Sequence, residues 1–348
     1  MYVSYSFTQK GSANLPMMKL SQMSQLNQNI DQQTWTSPIG EQFAKFWNHE
    51  PESIRFWRLS SNALFTLEVE GNRSFLRFNL ASERSLQEVE AEIRILLALD
   101  KNSIRAAQPI LSLSGRWIET AEWNGEKYHI VLFEGIPGEH LDDEHLTAEQ
   151  CLRWGQELGN LHTAFSKLSP ATFAGRKDWH SDLAHMQRQL ANEDAEIVAA
   201  LEDAAIQMEQ LCATMPITLI HFDFEMDNLI WNEDTFSVID FDDCRMYPPG
   251  ADIEYAIRSL RKSEDPQVNQ LIQSFMDGYT ATSVYPVLSQ AELEFFQQWH
   301  RLYLLAGCNR DMDLPASEPR EPWQSHLELR FAEVSHKLRV DVMRYAEK

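Results

Sequence analysis

The stretch LIHFDFEMDNLIWNEDTFSVIDFDDC, from Leu219 to Cys244, indicates the fold of this chain more strongly than any other segment. It contains two short apolar runs, and each run ends in polar side chains. The first leads into the spacing H-x-D-x-x-x-x-N, formed by His221, Asp223 and Asn228, and the second ends at Asp240. Because apolar runs joined by turn residues are typical of paired strands, we expect the two polar loops to lie side by side.

This set of side chains suits phosphoryl transfer. The carboxylate of Asp223 can receive or orient an attacking hydroxyl, while the amide oxygen of Asn228 and the carboxylate of Asp240 are hard oxygen ligands for Mg²⁺. Two acidic turns on a very acidic protein would be the simpler interpretation. The four polar residues between apolar strands favour the phosphotransfer site instead.

At these residues the chain resembles the protein-kinase-like superfamily and, within it, the aminoglycoside phosphotransferase/choline kinase family. Protein kinases have H-R-D-x-x-x-x-N in the first loop and D-F-G in the second. Here Phe222 stands where protein kinases have Arg and where small-molecule kinases usually have Gly, and Asp240-Phe241-Asp242 is similar to the small-molecule branch. The resemblance implies an α+β bilobal protein-kinase-like fold with a small antiparallel-sheet N-lobe and a larger, mainly helical C-lobe.

Composition narrows the classes of partner. The 348 residues are 43% hydrophobic, enough for a substantial core, and carry 52 acidic and 30 basic side chains, a net charge of −22. That charge argues against partners such as nucleic acid or anionic lipid and is compatible with a cationic substrate. The four widely spaced cysteines predict reduced thiols, and no signal peptide or membrane span is visible, so we expect a cytoplasmic protein. The sequence gives no indication of oligomeric state.

Three regions are predicted along the chain. Residues 1–37, rich in Gln, Ser, Asn and Met, are expected to be a poorly ordered leader. Residues 38–134 are expected to form the nucleotide-binding N-lobe, and residues 135–348 the catalytic and acceptor-binding C-lobe. The N-lobe opens with a helix at Pro38, followed by an antiparallel meander of three predicted strands, 54–59, 62–69 and 74–80.

Three residues of this meander are candidates for binding phosphate. Alternation in the third strand predicts that Arg77 points away from Leu76 and Phe78, toward solvent. The resemblance implies instead that Arg77 holds the α- and β-phosphates of ATP, since an Arg can bind phosphate in a bidentate manner. Ser61 and Asn62 lie where protein kinases have a Gly-rich phosphate loop, and an ordinary hairpin turn is an equally good interpretation of them.

A strong helix is predicted over residues 85–99, where Ser85 and Glu88 form a capping-box pattern. Glu92, which follows Arg77 by 15 residues (92 − 77), resembles the ion-pair glutamate of the family, with Glu88 and Glu90 as competitors for that role. The segment from Phe133 to Ile136 resembles the hinge between lobes, and the resemblance implies that its backbone binds adenine.

The predicted function is therefore ATP- and Mg²⁺-dependent phosphoryl transfer to a hydroxyl of a small molecule of the aminoglycoside, choline or homoserine type. Asp242 is a candidate ligand of a second Mg²⁺, and His221 is expected to be structural. Asp252 is expected to cap a helix, and the resemblance implies that it also braces the catalytic loop. The alternatives are a Ser/Thr protein kinase, a nucleotide-binding pseudokinase or scaffold, and an acidic interaction protein that binds no nucleotide.

Overall fold

The computed structural model of the protein describes residues 18–100, 104–142, 145–232, 235–262, 266–286, 288–317 and 319–346. These residues divide into two compact units. The first unit comprises the described parts of Met1–Arg84, Ile110–Gly135 and Leu304–Asp341, and the second comprises those of Ser85–Pro109, Ile136–Tyr303 and Val342–Lys348. Within the described residues, no helix is both long enough and apolar enough to cross a membrane.

A six-stranded sheet dominates the first unit. Its strands run in the order β1-β2-β3-β6-β4, and β5 also pairs with β6. The antiparallel pairing of β1 with β2 and of β2 with β3 confirms the predicted meander. The strands are β1 (Arg55–Leu59), β2 (Ala63–Val69), β3 (Asn72–Leu80), β4 (Pro109–Ile110), β5 (Glu119–Trp123) and β6 (Glu126–Glu134).

One face of this sheet carries an aromatic core. The ring of Phe78 packs edge-on against Phe43 at a centroid distance of 5.0 Å and stacks on Phe65 at 5.6 Å. Tyr128 closes the cluster, 5.8 Å from Phe78. Because side chains alternate along a strand, burying Phe78 on this face directs Arg77 to the other one. Arg77 is nevertheless buried, so the expectation that it points to solvent is wrong.

The prediction of a poorly ordered leader is wrong for residues 18–37, while residues 1–17 lie outside the described residues. Helix α1 (Leu20–Asn27) buries Leu20, Met23 and Leu26, and helix α2 (Pro38–Ala44) follows it. Both Ser21 N and Ser21 Oγ donate to the carboxylate of Asp313, nearly three hundred residues away in sequence. Long-range contacts of this kind stabilise a helix whose local composition resembles that of a disordered segment.

Helices form most of the second unit, together with two small antiparallel pairs, β7 with β10 and β8 with β9. The strands are β7 (Thr218–Ile220), β8 (Leu229–Asn232), β9 (Thr235–Val238) and β10 (Arg245–Tyr247). The remaining helices are α3 (Leu86–Asp100), α4 (Ala148–Phe165), α5 (Trp179–Leu190), α6 (Ala195–Cys212), α7 (Gly250–Ala256), α8 (Val268–Thr282), α9 (Gln290–Asp311) and α10 (Pro322–Ala346). Helices α9 and α10 also supply residues to the first unit.

Two glycines allow α4 and α8 to pack with their backbones in contact. A Cβ atom on Gly155 would lie 1.9 Å from the carbonyl oxygen of Phe275, and one on Gly278 would lie 2.0 Å from that of Leu152. Neither position leaves room for a methyl group, so both must be glycine if the helices are to keep this spacing. The close packing of α4 matters for the site, because α4 carries His162.

The N-terminus of α3 is capped as predicted. The backbone amide and hydroxyl of Ser85 donate to a carboxylate oxygen of Glu88, and the amide of Glu88 donates in return to Ser85 Oγ. Lys177 Nζ lies 3.0 Å from the other carboxylate oxygen. Burial raises the pKa of Glu88, but Lys177 and the hydrogen bonds from Ser85 outweigh it and lower the pKa to about 2. Glu88 is thus committed to the cap and to Lys177.

We expect Glu88→Gln to lower the free energy of unfolding at neutral pH by about 1 kcal/mol, because glutamine keeps the capping oxygen but loses the charge that pairs with Lys177. Since the folded pKa of about 2 lies below the ordinary value of 4.5, the ionised carboxylate stabilises the fold above pH 4.5, and that stabilisation is lost as the pH falls toward 2. Urea unfolding across this pH range should therefore show a shallower acid loss in the variant than in the wild type.

The control for this prediction is Glu90→Gln, which removes a more exposed carboxylate 3.9 Å from Arg94 on the same helix. It should change stability by only a few tenths of a kcal/mol. Parallel pH curves for the wild type and Glu88→Gln would contradict the prediction.

Candidate active site

Two loops of the second unit lie side by side, as the strand pattern predicted. The first follows β7, and the second follows β9, whose partner β8 begins at the end of the first loop. His221 Nε2 donates to the carbonyl oxygen of Ile239 at 3.0 Å, and the amide of Ile239 donates to the carbonyl oxygen of Asn228 at 3.0 Å. His221 is fully buried, and its ring joins the loops.

A buried carboxylate holds the backbone of the first loop. Asp252 accepts the amide protons of His221 at 2.7 Å and of Phe222 at 2.6 Å, one on each oxygen. His162 Nε2 donates to the same carboxylate at 3.0 Å and is itself bonded through Nδ1 to the hydroxyl of Tyr279. The expectation that Asp252 caps its helix is wrong, because no side chain caps the start of α7 and both oxygens of Asp252 are directed to the loop.

Phe222 has a backbone conformation that favours glycine. Its φ is +74°, a left-handed conformation that costs a residue with a side chain roughly 1 kcal/mol or more. The ring is held among Tyr247, Tyr255 and Tyr303 at centroid distances of 5.2 to 5.4 Å. The guanidinium of Arg245 lies 4.0 Å above it, and this packing offsets the backbone strain.

Asp223 lies in the middle of the first loop with 38% of its side chain exposed. Its Oδ2 accepts from Asn228 Nδ2 at 2.8 Å, and its Oδ1 lies 3.5 Å from Nη2 of Arg258. Burial raises the pKa of the Asp223 carboxyl, and the charge of Arg258 opposes this effect. The second hydrogen bond of Asn228 also uses Nδ2, which donates to the carbonyl oxygen of Asp223 at 2.9 Å. The chemistry of this pair suits proton acceptance by Asp223.

The second loop begins at Asp240, whose φ of +64° is again left-handed. Arg176 stabilises the following residues by donating from Nε to the carbonyl oxygen of Cys244 at 2.7 Å and from Nη2 to that of Asp242. Asp242 is buried, and the carboxylate of Asp243 is 3.1 Å from Arg245. The backbone of this loop is therefore fixed, with an acidic side chain at three of its first four positions.

The residues present fit a bound Mg²⁺. Both side-chain hydrogen bonds of Asn228 use its nitrogen, so its amide oxygen is the atom of suitable chemistry, and Asp240 supplies a carboxylate in the adjacent loop. Within the described ranges, no group of three His, Cys, Asp or Glu side chains lies close enough to hold a metal by itself. A cation here would depend on Asn228 and on oxygens from its substrate, as is usual for Mg²⁺.

Four of the predicted nucleotide ligands, Ser61, Asn62, Arg77 and Phe133, lie in the first unit. Arg77 has its guanidinium 4.7 Å from the ring centroid of Phe133. Asn62 is buried and accepts a hydrogen bond from Asn79 Nδ2, while its own nitrogen donates to Ser61 Oγ at 3.2 Å. The amide of Ser60 completes the turn by donating to the carbonyl oxygen of Asn62. The side chain of Asn62 therefore organises the turn, and the roles of Arg77 and Ser61 toward phosphate stay predictions.

Glu92 and Ile136 belong to the second unit. Glu92 is buried on α3, whereas its competitors are committed elsewhere, Glu88 to the cap and Glu90 to a neighbouring turn of the helix. Ile136 is partly exposed at the first position after the sheet strand β6 and Gly135. Neither location tests the predicted contact with nucleotide.

Sequence reasoning missed the three arginines that organise this site, Arg176, Arg245 and Arg258. Each contacts a loop, or packs on a ring of a loop, that is more than 20 residues from it in sequence. No local motif marks them, because in the sequence alone a buried arginine is indistinguishable from a surface charge. Only the tertiary fold gives them a carboxylate or a carbonyl oxygen to bind.

Comparison with known proteins gives a consistent result. The family model described as "Phosphotransferase enzyme family" matches residues 55–288, about two thirds of the chain. No curated protein matches it significantly.

Similar solved structures are small-molecule kinases. The chain is 25% identical to a microcompartment-associated aminopropanol kinase, with a TM-score of 0.65 over 88% of this chain and 98% of that one. It is 18% identical to an amicoumacin kinase solved with AMP-PNP and Ca²⁺, with a TM-score of 0.71 over 90% and 96%. A spectinomycin phosphotransferase solved with ADP is 16% identical, with a TM-score of 0.59 over 88% and 98%. The last two comparisons show the fold alone.

Proposed function

Because the chain belongs to the phosphotransferase enzyme family, whose members are kinases of hydroxyl groups on small molecules, we propose that it transfers the γ-phosphoryl group of ATP to an alcohol of a small, amine-bearing molecule, with Mg²⁺ as cofactor. The observation that carries the proposal is the hydrogen-bonded pair of loops that brings Asp223, Asn228 and Asp240 to one end of the β8–β9 hairpin. Phosphoryl transfer needs a carboxylate that orients the acceptor hydroxyl and oxygen ligands for Mg²⁺, and these three side chains have the suitable chemistry.

In the proposed mechanism, Asp223 orients the acceptor hydroxyl and takes its proton late in the reaction. Asn228 supports this role, because its amide nitrogen holds one oxygen of the carboxylate. A loose phosphoryl transition state needs little from a strong base, so alignment of the hydroxyl with the phosphorus atom accounts for most of the contribution of Asp223. Asp252 and His221 keep the loop in the conformation that this alignment needs.

Other residues are proposed to hold the donor. Arg77 binds the phosphates, with the turn at Ser61 beside them, and the backbone from Phe133 to Ile136 binds adenine. Bound Mg²⁺ would neutralise charge on the triphosphate, held by Asn228 and Asp240, with Asp242 as the candidate ligand of a second ion. The burial of Arg77 supports its role, since a buried cation is usually paired with an anion. The role of Glu92 as the ion-pair glutamate stays a prediction.

The proposed acceptor class rests on two points. A relative that is 25% identical to this chain is named as an aminopropanol kinase, and aminopropanol is an amino alcohol. The loops are also rich in carboxylates, and the whole protein carries a net charge of −22, which favours a cationic substrate. A protein substrate is disfavoured because only ten residues (250 − 240) separate Asp240 from the start of α7, too few for a long activation loop.

We expect transfer of labelled phosphate from ATP to amino alcohols when the purified protein is supplied with Mg²⁺. A suitable panel contains 1-amino-2-propanol, choline, homoserine and an aminoglycoside. 1,2-Propanediol is the matched control for 1-amino-2-propanol, because it replaces the amine with a hydroxyl at the same position. Under this proposal the hydroxyl of 1-amino-2-propanol should be phosphorylated with a kcat/KM at least about tenfold higher than that of 1,2-propanediol. A tenfold difference is what one modest charge interaction contributes.

Adding a mixture of proteins as substrate to the same assay distinguishes a small-molecule kinase from a protein kinase. Label on protein and none on any small molecule would replace the proposal with a protein kinase. No transfer at all, with no stabilisation of the protein by ATP and Mg²⁺, would indicate a scaffold that binds no nucleotide.

A further inference from the structure

Arg258 lies two residues beyond the end of α7 and reaches the side chain of Asp223. The same helix carries Asp252, which holds the backbone of the loop in which Asp223 lies. The segment from Asp252 to Arg258 therefore contacts this loop twice. Asp252 binds the main chain of the loop, and Arg258, six residues later (258 − 252), contacts the carboxylate of Asp223. The second contact is the one that the proposed mechanism does not use.

Each nitrogen of the Arg258 guanidinium has a partner. Nε donates to Glu225, Nη1 donates to Nε2 of His300, and Nη2 lies 3.5 Å from Oδ1 of Asp223. Because arginine has donors only, His300 must present an unprotonated Nε2 to it. The side chain is only 15% exposed. A contact at each of the three nitrogens fixes the plane of the guanidinium.

The carboxylate of Asp223 is held from both sides as a consequence. Asn228 binds one oxygen at 2.8 Å, Arg258 approaches the other, and the carboxylate keeps an exposed side. Two contacts on different oxygens define the rotation of the carboxylate about its χ2, a torsion that is otherwise broad. Glu225, within the loop, and His300, on α9, fix the guanidinium in turn.

We infer that Arg258 is a positioning residue, which fixes the plane of the Asp223 carboxylate so that its exposed side meets the acceptor hydroxyl. The inference rests on the proposed function of Asp223. A positioning residue differs from an ordinary structural ion pair, whose loss would lower stability without a specific loss of turnover. It also differs from an inhibitory lock, whose loss would raise turnover.

The test compares Arg258→Ala with Arg261→Ala. Arg261 is a matched control, because it lies three residues away and pairs with the carboxylate of Glu254 at 3.0 Å. The assay follows ATP hydrolysis with Mg²⁺ and no added alcohol, so that water takes the place of the acceptor and no substrate need be known. Each variant is measured with and without millimolar guanidinium chloride, with sodium chloride at equal ionic strength as the salt control.

For Arg258→Ala we expect a fall in kcat of about 10- to 100-fold, the usual effect of a misplaced catalytic group. The KM for ATP should change by less than about twofold, since Arg258 is not proposed to contact nucleotide, and a change of that size is under 0.5 kcal/mol. Guanidinium should restore part of the lost kcat in a saturable way, and Arg261→Ala should keep the wild-type kcat.

Three results would overturn the inference. An unchanged kcat means that Arg258 does not position Asp223, and a raised kcat means that it is an inhibitory lock. A lowered kcat that guanidinium does not restore, together with a lowered melting temperature, assigns Arg258 a structural role only. These results are distinguishable from failure of the proposed function, in which the wild type itself neither hydrolyses ATP nor is stabilised by ATP and Mg²⁺; the inference then fails with it.

Discussion

Replacing Asp223 with asparagine should lower the rate of phosphoryl transfer by about 10²- to 10⁴-fold, the range that a positioned acid or base contributes. The substitution keeps the shape of the side chain, and Asn228 can still donate to the remaining oxygen. It removes the negative charge that faces Arg258 and the group that accepts the proton of the acceptor. The measurement is the single-turnover rate with the amino alcohol that the wild type phosphorylates best.

Binding of ATP should be unaffected in this variant, because Asp223 is proposed to face the acceptor. The rise in melting temperature with ATP and Mg²⁺ should therefore equal that of the wild type. Asp227→Asn is the matched control, since Asp227 lies in the same loop and is exposed to solvent. Turnover of Asp223→Asn within tenfold of the wild-type value would show that the proton acceptor is another group.

The main features of the fold are predictable from the sequence because they depend on local patterns. Alternating apolar residues mark the strands of the meander, and the Ser85–Glu88 pair marks the start of α3. Helix α1 escaped prediction because its buried residues are separated by Ser and Gln, and its anchor is Asp313 at the other end of the chain. Local composition contains no information about such a partner.

The residues of the candidate site also divide into those that a local pattern marks and those that it does not. His221, Asp223, Asn228 and Asp240 are recognisable because their spacing is imposed by one hairpin, so sequence distance and spatial distance correspond. The arginines that orient them come from elements far along the chain, and their positions depend on how α7 and the segment before α5 pack.

Glycine spacing illustrates a further limit of sequence reasoning. Gly155 and Gly278 each leave room for the backbone of the facing helix, and through that packing α4 presents His162 to Asp252. In the sequence, each is merely a weak position in an otherwise good helix. The geometry of the loop that contains Asp223 therefore depends on two glycines that have no functional side chain.

Replacing Asp240 with asparagine should abolish the part of nucleotide binding that depends on Mg²⁺. Asparagine is chosen because it tolerates the left-handed backbone of this position almost as well as aspartate, so the loop should keep its conformation. The loss of one negative oxygen ligand weakens a Mg²⁺ site that has few protein ligands to begin with. Phosphoryl transfer should fall to background for the same reason.

Thermal unfolding with ATP in the presence of Mg²⁺ or of a chelator measures this directly. At a hundredfold excess over Kd, a ligand stabilises the native state by about 2.7 kcal/mol, which corresponds to a rise of a few degrees in Tm. We expect that rise in Tm for the wild type when Mg²⁺ is present and no rise when the chelator is present. For Asp240→Asn we expect no rise in either condition. Asp227→Asn, which removes an equal charge from the neighbouring loop, should behave as the wild type. A full Mg²⁺-dependent rise in Asp240→Asn would mean that the cation is held elsewhere, and Asp240 would then lose its proposed role.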